Sequence, residues 1–217
     1  MSTAVHIVGP QFSTFVRSVQ LCCEEKDIPY TLGTEVNGHP IHRQSPEHIA
    51  LHPFGKVPIL VHGERHLIET PSICRYLDAA FEGAPLQPTE PWLRAQVDQW
   101  TGMLSLYVDQ ILVRSYLLEY VFPKGDSGSV RVDVVKAIEP ELARILKLLD
   151  DQVSKAGYLV GNAFTIADAI SAPMLDYLLD QPAADGFFAK VPNLVAYIHK
   201  LRKRPSAVKV LVEPQLG

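Results

Sequence analysis

Three prolines fall within the nine residues from Gly83 to Pro91, and the sequence pattern changes at this segment. Before it, short apolar runs typical of strands alternate with amphipathic helical segments. After it, apolar residues recur almost throughout at the three- and four-residue spacing of helices. The change predicts a mixed α/β domain over residues 1–82, a linker over residues 83–91 and an all-helical domain over residues 92–217.

The first domain reads as a βαβ unit followed by a hairpin and a helix. A buried strand over residues 4–8, a helix over 14–26 and a strand over 30–32 form the βαβ unit. Two apolar runs, 57–61 and 66–68, flank the turn residues Gly63 and Glu64 and predict the hairpin. Thr70 and Pro71 then open a helix, because threonine caps helices well and proline suits the first helical position.

The composition excludes several classes of protein. The 217 residues carry 20 Lys and Arg against 24 Asp and Glu, whereas a nucleic-acid-binding surface needs a basic stripe. No apolar run approaches the ~20 residues that span a bilayer, and no secretory leader pattern opens the chain. Two of the three cysteines are adjacent, which argues against a disulfide framework. We therefore expect a cytoplasmic protein that binds neither nucleic acid nor membrane. The eight histidines show no paired metal spacing, so we expect no metal.

Pro58 stands at the start of an apolar run that otherwise reads as a central strand. Proline has no N–H to donate to a sheet ladder, so this position needs an explanation. A cis Val57–Pro58 bond would turn the chain and leave the Val57 N–H and C=O facing outward. The alternative is an edge strand with a trans proline.

Two helix starts offer anion sites. At Glu69-Thr70, the free N–H groups and the Thr70 hydroxyl favour a carboxylate, while Glu69 suits an ammonium group beside it. Such a pair would hold the α-amino and α-carboxyl groups of an amino acid. At Ser13-Thr14, where the first strand passes into the first helix, a hydroxyl is placed to donate to a ligand anion. The alternative at both places is that these residues only cap a helix.

Four segments match the motifs of one family. Residues 53–58 (PFGKVP) resemble its cis-proline loop, and residues 69–77 (ETPSICRYL) resemble its E-S-x-A-I-x-x-Y-L segment. Residues 161–168 (GNAFTIAD) resemble its G-x-x-x-S/T-x-A-D motif, and residues 192–205 resemble its usual ending. The sequence thus resembles the glutathione S-transferase superfamily over essentially the whole chain. The resemblance implies a thioredoxin-like α/β domain (βαβ-ββα), without a Cys-x-x-Cys pair, followed by an all-α helical bundle.

Pro58 then has a structural role, as do Thr165 and Asp168 of the third motif. The Thr165 hydroxyl and the Asp168 carboxylate are spaced to form a reciprocal capping box at the start of a helix. We assign this pair to folding rather than to chemistry.

The resemblance implies that the enzyme activates the thiol of glutathione. In serine-type members, a hydroxyl near the end of the first strand stabilises the thiolate. Ser13 lies four residues before Arg17, the spacing of delta- and theta-like members, whereas the five-residue spacing of phi- and zeta-like members falls on Phe12. We therefore expect Ser13 to be the catalytic donor, with Thr14 as second choice and a backbone N–H as the remaining alternative.

The resemblance also assigns the glutathione-binding residues. Val57 would pair its backbone with the cysteinyl residue, and Glu69 and Thr70 would hold the γ-glutamyl group. The glycyl carboxylate would be bound by Lys56, where the family more often has glutamine, and by two residues of a phi-like H-K-S-P-E-H segment, Arg43 and Gln44.

The second substrate is expected to be a small apolar electrophile between the domains. Its pocket would be lined by residues on the first long helix of the second domain, namely Met103, Leu104, Tyr107 and Ile111, each of which has plain core packing as its alternative. Phe54 occupies the position where some classes insert an aromatic side chain into a partner subunit, so we expect a homodimer.

The predicted function is that of a glutathione transferase, of the kind used in detoxification. Two alternatives keep the same fold: a non-catalytic or weakly active glutathione-binding scaffold, and a glutathione-dependent isomerase or thiol-disulfide exchanger. The Ser-Ser-Cys cluster of the zeta-type isomerase is missing from the turn around Ser13, which counts against the isomerase within the second alternative.

Overall fold

The computed structural model describes residues 4–36 and 38–213. The first half is built on a mixed four-stranded sheet in the order β2-β1-β5-β6. The strands are β1 (Val5–Val8), β2 (Tyr30–Gly33), β5 (Ile59–His62) and β6 (Arg65–Ile68). Strand β1 pairs in parallel with β2 and antiparallel with β5, which pairs antiparallel with β6. The predicted βαβ unit and hairpin are therefore confirmed, in a thioredoxin-like α/β arrangement.

Three helices and a small second sheet complete this half. The helices are α1 (Thr14–Glu25), α2 (Pro46–Leu51) and α3 (Thr70–Ala80). The second sheet pairs β3 (Glu35–Val36) with β4 (His39–Pro40); no pattern in the sequence predicted it. Ser45 begins α2 by accepting a hydrogen bond from the His48 N–H (3.2 Å), which is the usual role of serine at a helix N-cap.

The second half is helical throughout its regular structure. It contains α4 (Pro91–Met103), a π-helical segment (Leu104–Leu117), α5 (Leu118–Val121), α6 (Val132–Val153), α7 (Ile166–Leu179), α8 (Asp185–Phe188), α9 (Pro192–Arg202) and α10 (Pro205–Val210), with single 3₁₀ turns at Asp126–Gly128 and Pro182–Ala184. Helix α6 contains Pro140 without ending there. No helix among the residues described is long and apolar enough to cross a membrane.

The π-helical segment changes which residues share a face. Its core side carries Leu104, Val108, Leu112 and Tyr116, all buried, and Ser115 Oγ donates to the C=O of Gln110, five residues earlier (2.8 Å). A π-helix closes its hydrogen bonds from residue i to i+5 and so winds more widely than an α-helix. Residues four to five apart, rather than three to four, therefore line up along it.

Helix α1 joins the two halves, because it packs against both α3 and α7. Arg17 of α1 is fully buried. Its Nε donates to the C=O of Gln11 (2.9 Å), its Nη2 donates to the C=O of Val212 (2.6 Å), and its guanidinium lies 4.8 Å from the Tyr177 ring. Arg17 therefore ties the β1–α1 loop to the helical half.

Asp168 organises the start of α7. One of its oxygens accepts from the Thr165 N–H (2.8 Å) and from the Thr165 hydroxyl (2.9 Å), and the capping box is present. The other oxygen accepts from the Leu159 N–H (3.0 Å) and from the Tyr197 hydroxyl (2.7 Å). Because Asp168 is fully buried, desolvation raises its pKa against the opposing effect of these hydrogen bonds. The pair holds a loop and two helices together.

Candidate functional site

A cavity of about 380 Å³ lies between the sheet half and the helical half. This volume is typical of small-molecule sites. Its first wall comes from the sheet half and is formed by Phe15, His52, Lys56, Val57, Pro58, Glu69, Thr70 and Pro71. Its second wall comes from the π-helical segment and is formed by Ser105, Leu106, Asp109, Gln110 and Arg114.

The Val57–Pro58 peptide bond is cis, so the edge strand with a trans proline does not form. Val57 precedes β5, and across the part of the chain that the structure describes no backbone hydrogen bond takes up its N–H or C=O. Gly9 lies against it: a Cβ there would lie 3.2 Å from the Val57 Cβ and 2.5 Å from Cγ2 of Val16. A glycine at this position lets α1 and the Val57 loop approach closely.

Glu69 and Thr70 form the start of α3. Glu69 has φ 70° and ψ 109°, a conformation rare for a residue with a side chain, and its carboxylate makes no capping hydrogen bond. The carboxylate is therefore exposed beside the cavity, while Thr70 is buried. Because Pro71 has no N–H and the Ile73 N–H bonds to the C=O of Glu69, the unpaired N–H donors of the first turn belong to Thr70 and Ser72.

Two histidines support the loop before Val57. The ring of His48 accepts from the Gln44 N–H at Nδ1 (3.1 Å) and contacts the C=O of Lys56 at Nε2 (3.0 Å), which fixes the loop to α2. His52 lines the cavity and is 3 % exposed. Its Nδ1 accepts from the Phe54 N–H (3.3 Å), and burial lowers its pKa. The neutral ring thus carries its proton on Nε2.

Of the three residues predicted to bind the glycyl carboxylate, the structure brings only Lys56 to the cavity wall. Gln44 lies outside the wall because its backbone turns at φ 64° and its side chain donates to the C=O of Gly55 (3.3 Å). Arg43 is exposed and does not line the cavity either.

Ser13 is the N-cap of α1, at the end of the loop that follows β1. Its Oγ lies 3.5 Å from the Val16 N–H, a long contact for a capping hydrogen bond. As an acceptor in that contact, the hydroxyl keeps its own proton available to donate. Thr14 is buried in the first turn of α1, and neither residue lines the cavity wall itself; Phe15 does.

The helical wall differs from the predicted electrophile pocket. Leu104 is fully buried in the core, Tyr107 is 66 % exposed, and Met103 and Ile111 are partly buried against the core. None of these residues lines the cavity. The prediction assumed α-helical spacing, and the π-helical winding presents a different set: Ser105, Leu106, Asp109, Gln110 and Arg114.

Asp109 is an unusual member of this wall. It is 6 % exposed, and its Oδ2 accepts from Arg114 Nε (2.9 Å). Burial raises its pKa, and the hydrogen bond from Arg114, the charge of Arg114 and the charge of Lys56 oppose that rise. Asp109 and His52 line the cavity without having been predicted from the sequence. A carboxylate among the largely apolar residues of the segment marked the first, and nothing distinguished His52 from its neighbouring histidines.

Comparison with known proteins identifies the chain. A model described as "Glutathione S-transferase, N-terminal domain" matches residues 8–85, and one described as "Glutathione S-transferase, C-terminal domain" matches residues 117–205. Glutathione S-transferase 3 from Zea mays is 30% identical over 179 residues, which cover 78% of this chain and 76% of that protein. The chain belongs to the glutathione S-transferase family.

Other members of the glutathione S-transferase family match at similar levels. Glutathione S-transferase F11 from Arabidopsis thaliana is 26% identical over 95% of this chain and 97% of its own. The solved structure of poplar glutathione transferase F1 is 26% identical, with a TM-score of 0.82 and 97% coverage of both chains. A theta class glutathione S-transferase from the citrus canker pathogen Xanthomonas axonopodis pv. citri, solved with glutathione bound, is 27% identical with a TM-score of 0.84, covering 98% of this chain and 99% of its own.

Within residues 4–36 and 38–213 of this glutathione S-transferase, no group of three or more His, Cys, Asp or Glu side chains is placed to hold a metal ion. The three cysteines are free and buried, and none lines the cavity. A hydrogen bond with Cys74, together with burial, raises the pKa of the Cys22 thiol, and burial raises that of Cys23. A thiol that reacts in the cavity is therefore not one of these three cysteines.

Proposed function

We propose that this glutathione S-transferase binds glutathione along the sheet wall of the cavity, ionises its thiol and directs the thiolate at a small electrophile held against the helical wall. The observation that carries this proposal is the placement of the Val57 backbone, the exposed Glu69 carboxylate and the buried Thr70 on one wall. Backbone N–H and C=O groups without partners, next to an acidic side chain and a helix N-terminus, suit a peptide that carries a free α-amino group and a free α-carboxyl group.

The γ-glutamyl group of glutathione is the amino-acid end in question. Its ammonium pairs with the Glu69 carboxylate. Its carboxylate accepts from the Thr70 and Ser72 N–H groups and from the Thr70 hydroxyl, where the α3 dipole adds stabilisation. The cysteinyl residue pairs its N–H and C=O with the Val57 backbone as a short antiparallel strand.

The glycyl carboxylate needs a cation or a donor at the other end of the same wall. Lys56 and His52 line the same wall, so we propose that these two side chains bind it. Arg43 and Gln44, which the sequence pattern assigned to this carboxylate, lie outside the wall, and the geometry favours His52 in their place.

Ser13 is proposed to stabilise the thiolate. A free thiol with a pKa of ~8.5 is only a few per cent ionised at neutral pH. Lowering the pKa by ~2 units requires ~2.7 kcal/mol of preferential stabilisation of the thiolate. A charge-assisted hydrogen bond from the Ser13 hydroxyl and the N-terminus of α1 supply energies of this order. The thiolate then attacks the electrophile, whose apolar body packs on Phe15 and Leu106.

The test of the catalytic role is the thiol pKa of bound glutathione, followed by the ultraviolet absorbance of the thiolate. We expect a pKa well below that of free glutathione in the parent protein, and a return towards the free value in Ser13→Ala, with Ser13→Thr retaining part of the effect. An unlowered thiol pKa in the parent would leave a glutathione-binding scaffold. Lowering that survives in Ser13→Ala would assign the donor to Thr14 or to a backbone N–H.

The test of the binding wall is glutathione affinity by calorimetry. Glu69→Ala combined with Thr70→Val should remove most of the affinity. The matched control is Glu64→Ala, because Glu64 is an exposed acid in the nearby β5–β6 turn, away from the cavity. Equal affinities in the two variants would refute the assignment of the γ-glutamyl site.

We also propose that the protein is a cytoplasmic homodimer. Phe54 is 72 % exposed and Trp92 is 70 % exposed, and large exposed apolar side chains are typical of protein contact surfaces. The three free cysteines suit a reducing compartment. Phe54→Ala should shift the mass measured by light scattering towards that of the monomer, and an unchanged mass would remove Phe54 from the interface.

A further inference from the structure

The helical wall of the cavity contains two buried oxygen atoms without a partner. Across the residues described, six buried side-chain nitrogen or oxygen atoms lack a hydrogen-bond partner. Two of them, Ser105 Oγ and Asp109 Oδ1, belong to residues that line this cavity. Leaving a buried polar atom unpaired costs about 1–3 kcal/mol, and such atoms in native structures call for an explanation. Their occurrence together on one wall points to a ligand.

The two residues lie on the same face of the π-helical segment, four positions apart, which is close to one turn of this wider helix. Asp109 is fixed there, because its Oδ2 is held by Arg114 Nε at 2.9 Å. Its Oδ1 is left as an acceptor. The Ser105 hydroxyl is able both to donate and to accept.

The charges around this pair limit what it binds. The carboxylate of Asp109 repels an anionic group. A cationic group is disfavoured by Arg114 and Lys56, which line the same cavity. A neutral group that donates to Asp109 and accepts from Ser105 fits both atoms, and a hydroxyl does so with one oxygen. Both atoms are shielded from water in this conformation, so contact requires neighbouring side chains of the wall to rotate, as is common on binding, while Arg114 keeps Asp109 in place.

We propose that Ser105 and Asp109 select electrophiles that carry a hydroxyl group on the side away from the reacting carbon. This inference rests on the proposed function. The apolar body of such a substrate packs on Phe15 and Leu106, and its hydroxyl binds between Ser105 and Asp109. The second substrate is therefore amphipathic rather than wholly apolar. Ser105 and Asp109 determine specificity and take no part in activating the thiol.

The experiment compares two electrophiles that differ only at that end: benzyl isothiocyanate bearing a hydroxymethyl group, as the meta and para isomers, and the corresponding ethyl compounds. The groups have the same number of heavy atoms and are remote from the reacting carbon. Glutathione adds across the isothiocyanate, forming a C–S bond while the thiol proton passes to nitrogen. The measured quantity is the ratio of kcat/KM for the hydroxymethyl and ethyl compounds, after subtraction of the uncatalysed rates.

The parent enzyme should prefer one hydroxymethyl isomer by about tenfold, the effect of one hydrogen bond to a charged group. Asp109→Leu and Ser105→Ala should each bring the ratio close to one, mainly through kcat/KM for the hydroxymethyl compound. Ser115→Ala is the matched control, since Ser115 lies on the same helical segment and off the cavity; it should keep the parent's ratio. If Asp109→Leu does not fold, Ser105→Ala decides alone.

A parent enzyme without preference for either hydroxymethyl isomer would overturn this inference and would assign water to the two oxygens. A ratio unchanged in Ser105→Ala and Asp109→Leu would overturn it too. So would weaker glutathione binding in Asp109→Leu at an unchanged ratio, which would place Asp109 in the glutathione site. The failure of the proposed function looks different: the parent would then catalyse neither reaction above the uncatalysed rate.

Discussion

The imidazole of His52 shows how the burial of a single residue makes folding stability depend on pH. Burial lowers its pKa, an effect that the Glu69 charge partly opposes. The Phe54 N–H points at Nδ1, so the ring is held neutral. An unfolded chain would take up a proton near the ordinary pKa of 6.5, whereas the folded protein resists it to lower pH.

This difference predicts an acid-sensitive contribution to folding. His52 adds stability that is fully present above its unfolded pKa of 6.5 and is lost as pH falls through its lower folded pKa. The melting temperature of His52→Gln should therefore fall less than that of the parent between neutral pH and pH ~5. His66→Gln, a change at an exposed histidine of β6, serves as the control. Parallel melting curves for His52→Gln and the parent would contradict the prediction.

Among the elements, the π-helical segment shows where sequence reasoning stops. The apolar spacing after the linker predicted a long first helix, and helix runs from Pro91 to Val121. The winding within it was not predictable, because the same apolar residues suit α- and π-helical spacing until their neighbours pack. The predicted cavity face was therefore rotated away from the face that Ser105 and Asp109 occupy.

The segments with local physical causes were predicted well. Helix α3 begins at Thr70 with Pro71 in its first turn, as predicted, although the N-cap is Glu69 rather than Thr70 and makes no side-chain capping hydrogen bond. The β5–β6 hairpin turns at Gly63-Glu64. The cis bond at Pro58 came from the family resemblance together with the missing N–H. By contrast, the positions of Arg43, Gln44 and His52 depend on how α2 and its loop pack, which no local pattern records.

The capping box of α7 yields a prediction for an element. Asp168→Asn replaces one acceptor oxygen with a donor, so some of the N–H and O–H groups of Leu159, Thr165 and Tyr197 lose their partner inside the core. The free energy of unfolding should fall by about 2–4 kcal/mol, measured by urea denaturation. Asp151→Asn, in an exposed ion pair with Lys147, should change it by less than about 1 kcal/mol. Equal losses in both variants would contradict the role of the box.

At the scale of the whole molecule, polar contacts fasten α1 of the sheet half to the helical half. The Glu25 carboxylate accepts from Arg204 Nε (2.7 Å) and from the Ser206 hydroxyl, and Arg204 also lies 4.4 Å from the Phe164 ring. Burial acts to raise the pKa of Glu25, but the hydrogen bonds from Arg204 and Ser206 outweigh it, so the pKa is lowered.

The sign of this shift gives a pH-dependent prediction. The Glu25 contribution is present above its unfolded pKa of 4.5 and is lost as pH falls through its lower folded pKa. Glu25→Gln should lower the free energy of unfolding by about 1–2 kcal/mol at neutral pH, and the difference from the parent should shrink below pH 4.5. Urea denaturation across this range measures it. A difference that stays constant with pH would show that the carboxylate charge does not matter.

The backbone conformation of Glu69 costs stability, whereas its carboxylate is the group proposed to bind glutathione. Its conformation, φ 70° and ψ 109°, costs a residue with a side chain about 1–3 kcal/mol, and glycine avoids much of this cost while giving up some chain entropy. Glu69→Gly should therefore melt no lower than the parent, by calorimetric scanning, yet fail to bind glutathione; a clear drop in melting temperature would contradict this. Laboratory evolution for thermostability alone would then tend to replace Glu69 and lose its carboxylate. Selection for a more thermostable enzyme therefore has to include selection for activity.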